Sequence, residues 1–125
     1  MNSEFPQPTF AVQEMDLPDR TRVLSVSGEI HVTTAPELSD RLTAALDAGR
    51  TRIVLDFTQV EFIDSTGLSV LLTALRRVRL SDGALVIACA NPTVLRLFEI
   101  TRLDATFDIV ATRDEALEHI GANVR

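Results

Sequence analysis

The sequence predicts an α/β domain with a mixed β-sheet, mostly parallel with one antiparallel N-terminal strand, and about four α-helices in the order β-β-α-β-α-β-α-β-α. Three observations carry this prediction. Short apolar runs alternate with stretches of helical period after Ser27, the pattern of strands joined by helical crossovers and therefore paired in parallel. Only the first two strands are joined by a tight turn, at Leu17-Pro18-Asp19, so only the first should run against its neighbour. Finally, Ile53–Leu55 and Leu85–Ile87 are apolar at successive positions, as in central strands covered on both faces.

Residues 1–8, with Pro6 and Pro8 and no periodicity, read as a loose lead-in to a single domain over 9–121. Residues 9–14 supply a first strand and the alternating run 21–27 a second, with Gly28-Glu29-Ile30-His31-Val32 as a connecting loop or short extension. Thr34 stands three residues before Glu37, a capping-box spacing, and Pro36 lies in the first turn of a helix whose apolar face is Leu38, Leu42, Ala45 and Leu46. Gly49 is placed to end that helix in the left-handed conformation. The run 52–57 is a buried strand. From Ser65 to about Leu80, Leu68, Leu71, Leu72, Leu75 and Val78 recur at helical spacing, closed by Ser81-Asp82-Gly83. Residues 84–89 form another strand. Asn91-Pro92 is an N-cap followed by proline at the first helical position, and Val94, Leu95, Leu97 and Phe98 begin a short helix. The run 106–110 is an edge-like strand. Thr112 and Glu115 repeat the capping-box spacing before a last helix lined by Ala116, Leu117 and Ile120 and ended by Gly121.

At 125 residues the chain fits one domain, and its 46% apolar content suffices for a core. A net charge of −6, with no basic arm and neither Trp nor Tyr, argues against nucleic acid as a partner. The single cysteine, Cys89, excludes an internal disulfide and any multi-cysteine metal site, and its apolar run reads as a buried thiol. No apolar run approaches twenty residues and no signal-peptide pattern opens the chain, so a cytoplasmic protein without direct membrane insertion is expected.

The chemistry-bearing stretch is Asp64-Ser65-Thr66-Gly67, between a strand and a helix. Asp64 and Ser65 are both good N-cap types, and a cap is the simplest role for either. A hydroxyl at this place also lies near the surface, against the positive end of a helix dipole, where an anion is tolerated. No catalytic set assembles around it. Ile63 stands where a nucleophile elbow needs its first glycine. His31 and His119 lie outside any metal-ligand spacing, and the sequence supplies no cofactor-binding loop. His119, late on the last helix, suits a contact with its C-terminal dipole. Asp56 and Asp64 suggest a carboxylate pair, but closing a strand and opening a helix is the simpler account of each. Arg76, Arg77 and Arg79 read as the wet side of their helix.

Four segments, in order, resemble STAS domains, and specifically the anti-sigma factor antagonists of bacteria: Ser27-Gly28-Glu29-Ile30, Phe62-Ile63-Asp64-Ser65-Thr66-Gly67-Leu68, Leu95-Arg96-Leu97-Phe98-Glu99-Ile100-Thr101, and Asp114-Glu115-Ala116-Leu117. The resemblance spans 10–120 and implies a mixed sheet with helices packed mainly on one side. It implies a protein that is not an enzyme. When unphosphorylated it would bind an anti-sigma factor, itself a serine kinase of the histidine-kinase-like ATPase fold. Phosphorylation at Ser65 would release it, regulating transcription through a sigma factor, and a serine phosphatase would reset the cycle. The implied partner-binding surface is Asp64, Ser65, Thr66, Gly67 and Leu68, with Gly28, Glu29, Ile30 and His31 beside it. Thr66 is the neighbouring hydroxyl, open as a second acceptor. The same resemblance allows an alternative, a STAS accessory module of a lipid or anion transporter complex without a kinase partner. The chain departs from the family pattern at His31, where Asp is frequent, and at Arg102, where Gly is frequent. An arginine at 102 is expected to leave the left-handed conformation that glycine favours.

Overall fold

The computed structural model describes residues 9–122, and the lead-in expected over 1–8 lies outside the described residues. Five strands form one sheet in sequence order: β1 (Ala11–Leu17), β2 (Thr21–Ile30), β3 (Arg52–Ile63), β4 (Ala84–Ala88) and β5 (Asp108–Val110). The β1–β2 pair is antiparallel and the other three pairs are parallel, as expected. The helices are α1 (Ala35–Asp47), α2 (Ser65–Leu80), α3 (Pro92–Ile100) and α4 (Arg113–Ala122).

Alternation along the central strands divides the interior in two. Leu24, Val26, Ile53, Leu55, Phe57 and Ile87 point to one face, where they pack with residues of α1, α2 and α3. Val23, Val54, Val86 and Ala88 point to the other, where Ala116 and Ile120 of α4 cover them. On the larger side Phe98 meets Phe107 edge to face, with ring centroids 5.8 Å apart. Cys89 is 2% exposed, and burial pushes its thiol pKa up, as a structural cysteine requires.

Several boundaries differ from expectation. β1 starts two residues late and runs to Leu17, because its far half is tied down by charge. Arg22 binds both Glu14 and Asp16, Arg41 reaches Glu14, and Arg50 reaches Asp16. The hydrogen bond from Arg22 holds the Asp16 carboxyl below its usual range. β2 continues through Gly28 to Ile30, so of the two readings of residues 28–32 the strand extension holds as far as Ile30. β3 runs on through polar Thr58, Gln59 and Glu61 to Ile63, held by pairing with β2 that shifts register twice. β5 keeps only three residues, since a 3₁₀ turn over Leu103–Ala105, absent from the sequence reading, takes up the approach. Gly121 does not end α4; Ala122 is still helical.

Helix ends divide similarly. Thr112 and Glu115 make both bonds of a capping box: the Glu115 amide donates to Thr112 Oγ1, and the Thr112 amide to Glu115 Oε1, each at 3.1 Å. Thr34 has the same spacing to Glu37 but makes no cap bond. Its hydroxyl donates instead to the Glu29 carbonyl at 2.7 Å and accepts from the His31 amide at 2.9 Å, pinning the β2–α1 turn. Gly49 ends α1 at φ 82°, with the Arg50 amide on the Ala45 carbonyl and the Gly49 amide on that of Leu46.

Arg102 corrects the expectation placed on it. It stays left-handed, at φ 63°, and is exposed. A non-glycine residue there carries about 1–2 kcal/mol of steric cost, partly offset by its lower entropy when unfolded. Arg102→Gly is therefore expected to stabilise the protein by about 0.5–1 kcal/mol, raising Tm by about 2–4 °C. A fall in Tm on thermal denaturation would contradict this account.

Candidate functional site

The site forms where β3 hands over to α2. Ile30 and Ile63 are partners at the ends of β2 and β3, and the Asp64 amide adds one more bond by donating to the Ile30 carbonyl at 3.1 Å. That bond keeps Asp64 extended, at φ −112° and ψ −173°, the backbone an N-cap needs. Its carboxylate accepts from the Gly67 amide at 3.1 Å, and its carbonyl receives the Leu68 amide at 3.0 Å. Of the two possible caps the structure thus uses Asp64.

Ser65 is left at the first helical position, exposed, and its hydroxyl makes no hydrogen bond among the described residues. With the Gly67 amide taken by the cap, the amides of Ser65 and Thr66 have no intrahelical acceptor. An unbonded hydroxyl, unpaired amides and the positive end of a 16-residue helix therefore coincide at the surface. Thr66 is half-buried beside it.

Gly67 explains how tightly this turn is seated. A Cβ there would lie 2.7 Å from Ile63 Cγ1 and 2.8 Å from Ile30 Cγ2. The first turn of α2 rests directly on the ends of two strands, so Ser65 is carried on rigid elements.

The remaining residues named from the sequence divide by burial. Ile30 is fully buried and Leu68 is 4% exposed, so both side chains shape the turn from beneath and, contrary to the surface the resemblance implies, neither is offered to a partner. Gly28 is buried at φ 89°, with the Phe10 backbone 2.9 Å from where a Cβ would stand. Glu29 and His31 are half-buried at the rim. His31 Nδ1 accepts from the Thr33 amide at 3.2 Å, and its Nε2 lies 3.9 Å from the Glu29 carboxylate. Neither histidine is bonded to Ser65: His119 lies in the last turn of α4, as expected, and also pairs with Asp108 at 3.2 Å. Asp56 lies within β3, 8% exposed, where it accepts from the Thr58 amide and hydroxyl and faces Arg113 at 3.6 Å; it closes no strand and forms no pair with Asp64. Arg77 reaches Asp47 and Arg79 the Thr106 carbonyl, while Arg76 is exposed.

Among the described residues no cluster of His, Cys, Asp or Glu is arranged to hold a metal, and no helix is long and apolar enough to cross a membrane. A cleft of about 400 Å³ lies beside β5, and none of its lining residues belongs to the Ser65 segment. Sequence reasoning missed three features near that segment: the Thr34 latch, the bond from Asn91 Nδ2 to the Val60 carbonyl at 3.2 Å, and the exposure of Val32, Phe62 and Ile100. The Asn91 bond joins residues 31 apart and the exposures depend on how distant elements pack, while the Thr34 latch depends on where β2 ends; local pattern reports none of these.

Comparison with known proteins agrees with this architecture. The family model described as "STAS domain" matches residues 13–116. The chain is 35% identical over 85 residues to the anti-sigma-B factor antagonist of Staphylococcus aureus, covering 68% of this chain and 79% of that one. It superimposes on the crystal structure of an anti-sigma factor antagonist from Mycobacterium paratuberculosis with a TM-score of 0.77 at 32% identity, over 91% of this chain and 94% of that one. Two structures of the antagonist SpoIIAA share the fold. The unphosphorylated form has a TM-score of 0.77 at 24% identity, over 90% of this chain and 97% of that one. The phosphorylated form has a TM-score of 0.70 at 23% identity, over 88% and 99%.

Proposed function

The chain belongs to the STAS domain family, and on that footing we propose that it is an anti-sigma factor antagonist switched by phosphorylation at Ser65. Unmodified, it binds an anti-sigma factor through the exposed start of α2. The anti-sigma factor is a serine kinase of the histidine-kinase-like ATPase fold, and it transfers the γ-phosphoryl group of ATP to Ser65 Oγ, releasing ADP and the hydroxyl proton. A serine phosphatase removes the group by hydrolysis. This chain is the substrate in both steps and supplies no catalytic group.

The observation that carries this reading is the division of labour between Asp64 and Ser65. Because Asp64 holds the cap, the Ser65 hydroxyl is free for another protein's ATP site, and modifying it breaks no bond of the fold. A phosphate brings about −1.5 to −2 charges at neutral pH. The open amides of Ser65 and Thr66 and the helix dipole partly accommodate that charge within the chain. Asp64, one residue away, repels it, and a docked partner has to desolvate it. Modification therefore acts on docking and leaves the fold in place.

The test is incubation with ATP and each anti-sigma factor kinase encoded in the same genome, followed by mass spectrometry. The expected result is one added phosphoryl group at Ser65, absent in Ser65→Ala. Modification confined to Thr66 would move the switch by one residue. No modification by any of the kinases would remove the basis of the reading and favour a docking module of a transporter complex.

A further inference from the structure

The surface that Ser65 offers is small. A stable protein interface buries about 800 Å² on each side, yet in the Asp64–Leu68 turn only Asp64, Ser65 and Thr66 escape burial. With Leu68 in the core, the apolar contact such an interface needs has to come from elsewhere. It stands directly beside the site. Phe62 is 40% exposed and Ile100 67% exposed, and together with Ile63, Thr93, Arg96 and Leu97 they line a shallow groove of about 160 Å³ between the end of β3 and α3. Ile63 closes β3 and immediately precedes Asp64, so groove and switch are continuous.

Charge narrows the occupant. Arg22, Arg41, Arg50, Arg77 and Arg113 are engaged with carboxylates of this chain, and of the other described arginines (Arg20, Arg52, Arg76, Arg79, Arg96 and Arg102) only Arg96 lines this groove. Arg96 is exposed at the groove and has no ion pair among the described residues. In a chain of net charge −6, an unpaired guanidinium beside exposed Phe62 and Ile100 marks a place for an apolar segment edged by a carboxylate.

We propose that this groove is the second half of the docking surface: the anti-sigma factor that reaches Ser65 lays an apolar stripe across Phe62, Leu97 and Ile100 and places a carboxylate against Arg96. The assignment rests on the functional reading above and extends it to where binding energy comes from. Ser65 reports the modification state, while the groove supplies affinity. It also accounts for how a kinase that modifies one exposed hydroxyl holds its substrate long enough to do so.

The experiment uses the kinase from the same genome that modifies Ser65, titrated against full-length wild type, Ile100→Arg, Arg96→Glu and Leu80→Ser. Leu80 is 88% exposed at the far end of α2 and serves as the control for removing a surface hydrophobe. Circular dichroism checks that each variant is folded. Ile100→Arg and Arg96→Glu are expected to weaken binding at least tenfold, leaving Leu80→Ser at the wild-type value and the rate of Ser65 modification at saturating kinase little changed. Wild-type affinity in both groove variants, with Ser65→Glu still weakened, overturns the groove and leaves the switch standing. Dimeric wild type in sedimentation velocity, made monomeric by Ile100→Arg, assigns the groove to a second copy of the chain and overturns the proposal. Failure of every kinase to bind wild type overturns the functional reading, and the groove assignment with it.

Discussion

Ser65→Glu is expected to weaken binding to the anti-sigma factor about a hundredfold, roughly 2.7 kcal/mol, while Tm stays within about 3 °C of wild type. The two halves have separate causes. Ser65 is exposed at the first position of α2 and takes no part in the cap, so glutamate displaces no packed atom and breaks no hydrogen bond. An acidic side chain in a first turn stabilises a helix by about 0.3–1 kcal/mol, and the neighbouring Asp64 carboxylate offsets some of that gain. In a docked complex the same charge has to leave water opposite a surface shaped for a hydroxyl, with Asp64 already present. An unpaired charge trapped in an interface costs several kcal/mol, which exceeds anything the free helix amides return. Titration calorimetry and thermal denaturation on one preparation separate the two halves. Lost binding accompanied by a large fall in Tm would mean that Ser65 is structural after all.

The largest effect on stability is expected at the other end of α2. Gly83→Ala should cost about 2–3 kcal/mol, lowering Tm by about 8–12 °C. A Cβ at position 83 would lie 2.0 Å from the Thr51 carbonyl oxygen and 2.9 Å from its carbonyl carbon, and both are backbone atoms that no rotamer change can move. That same carbonyl accepts the Ala84 amide at 3.0 Å, where β4 begins beside β3. The Gly83 amide, at 2.7 Å from the Val78 carbonyl, closes α2, and the left-handed residue of that ending is Asp82, at φ 58°. The glycine is therefore needed for close approach of two strand starts, with the turn geometry provided one residue earlier. A Tm within about 2 °C of wild type would show that the chain relieves the contact by moving.

Much of the fold was legible because it is written locally. Thr112 and Glu115 predicted a capping box and formed one, and Asn91-Pro92 opened α3 as its spacing implied. The same reasoning failed at Thr34 and Glu37, where an identical spacing lost to a carbonyl five residues back: Glu29, the last residue but one of β2, lies within reach of the Thr34 hydroxyl, and the capping-box pattern carries no knowledge of that. β3 outran its apolar run because β2 continued alongside it through Ile30, a pairing invisible in the polar Thr58-Gln59-Glu61 segment. At the candidate site the sequence offered Asp64 and Ser65 as equal caps. The register of β2 against β3 broke the tie by tying the Asp64 amide to Ile30. The burial of Leu68 was within reach of the sequence, since it shares a helical face with Leu71, Leu75 and Val78. The exposure of Phe62 and Ile100 was not, because it depends on where α3 comes to rest.

The separation of switch from fold is tested most directly by titrating one anti-sigma factor with the protein unmodified and again after stoichiometric phosphorylation at Ser65, following the amide spectrum of each form. The account predicts that affinity falls at least a hundredfold while amide shifts change only around Asp64–Leu68 and the ends of β2 and β3. Equal affinity of the two forms, or shift changes running through the whole sheet, would contradict it.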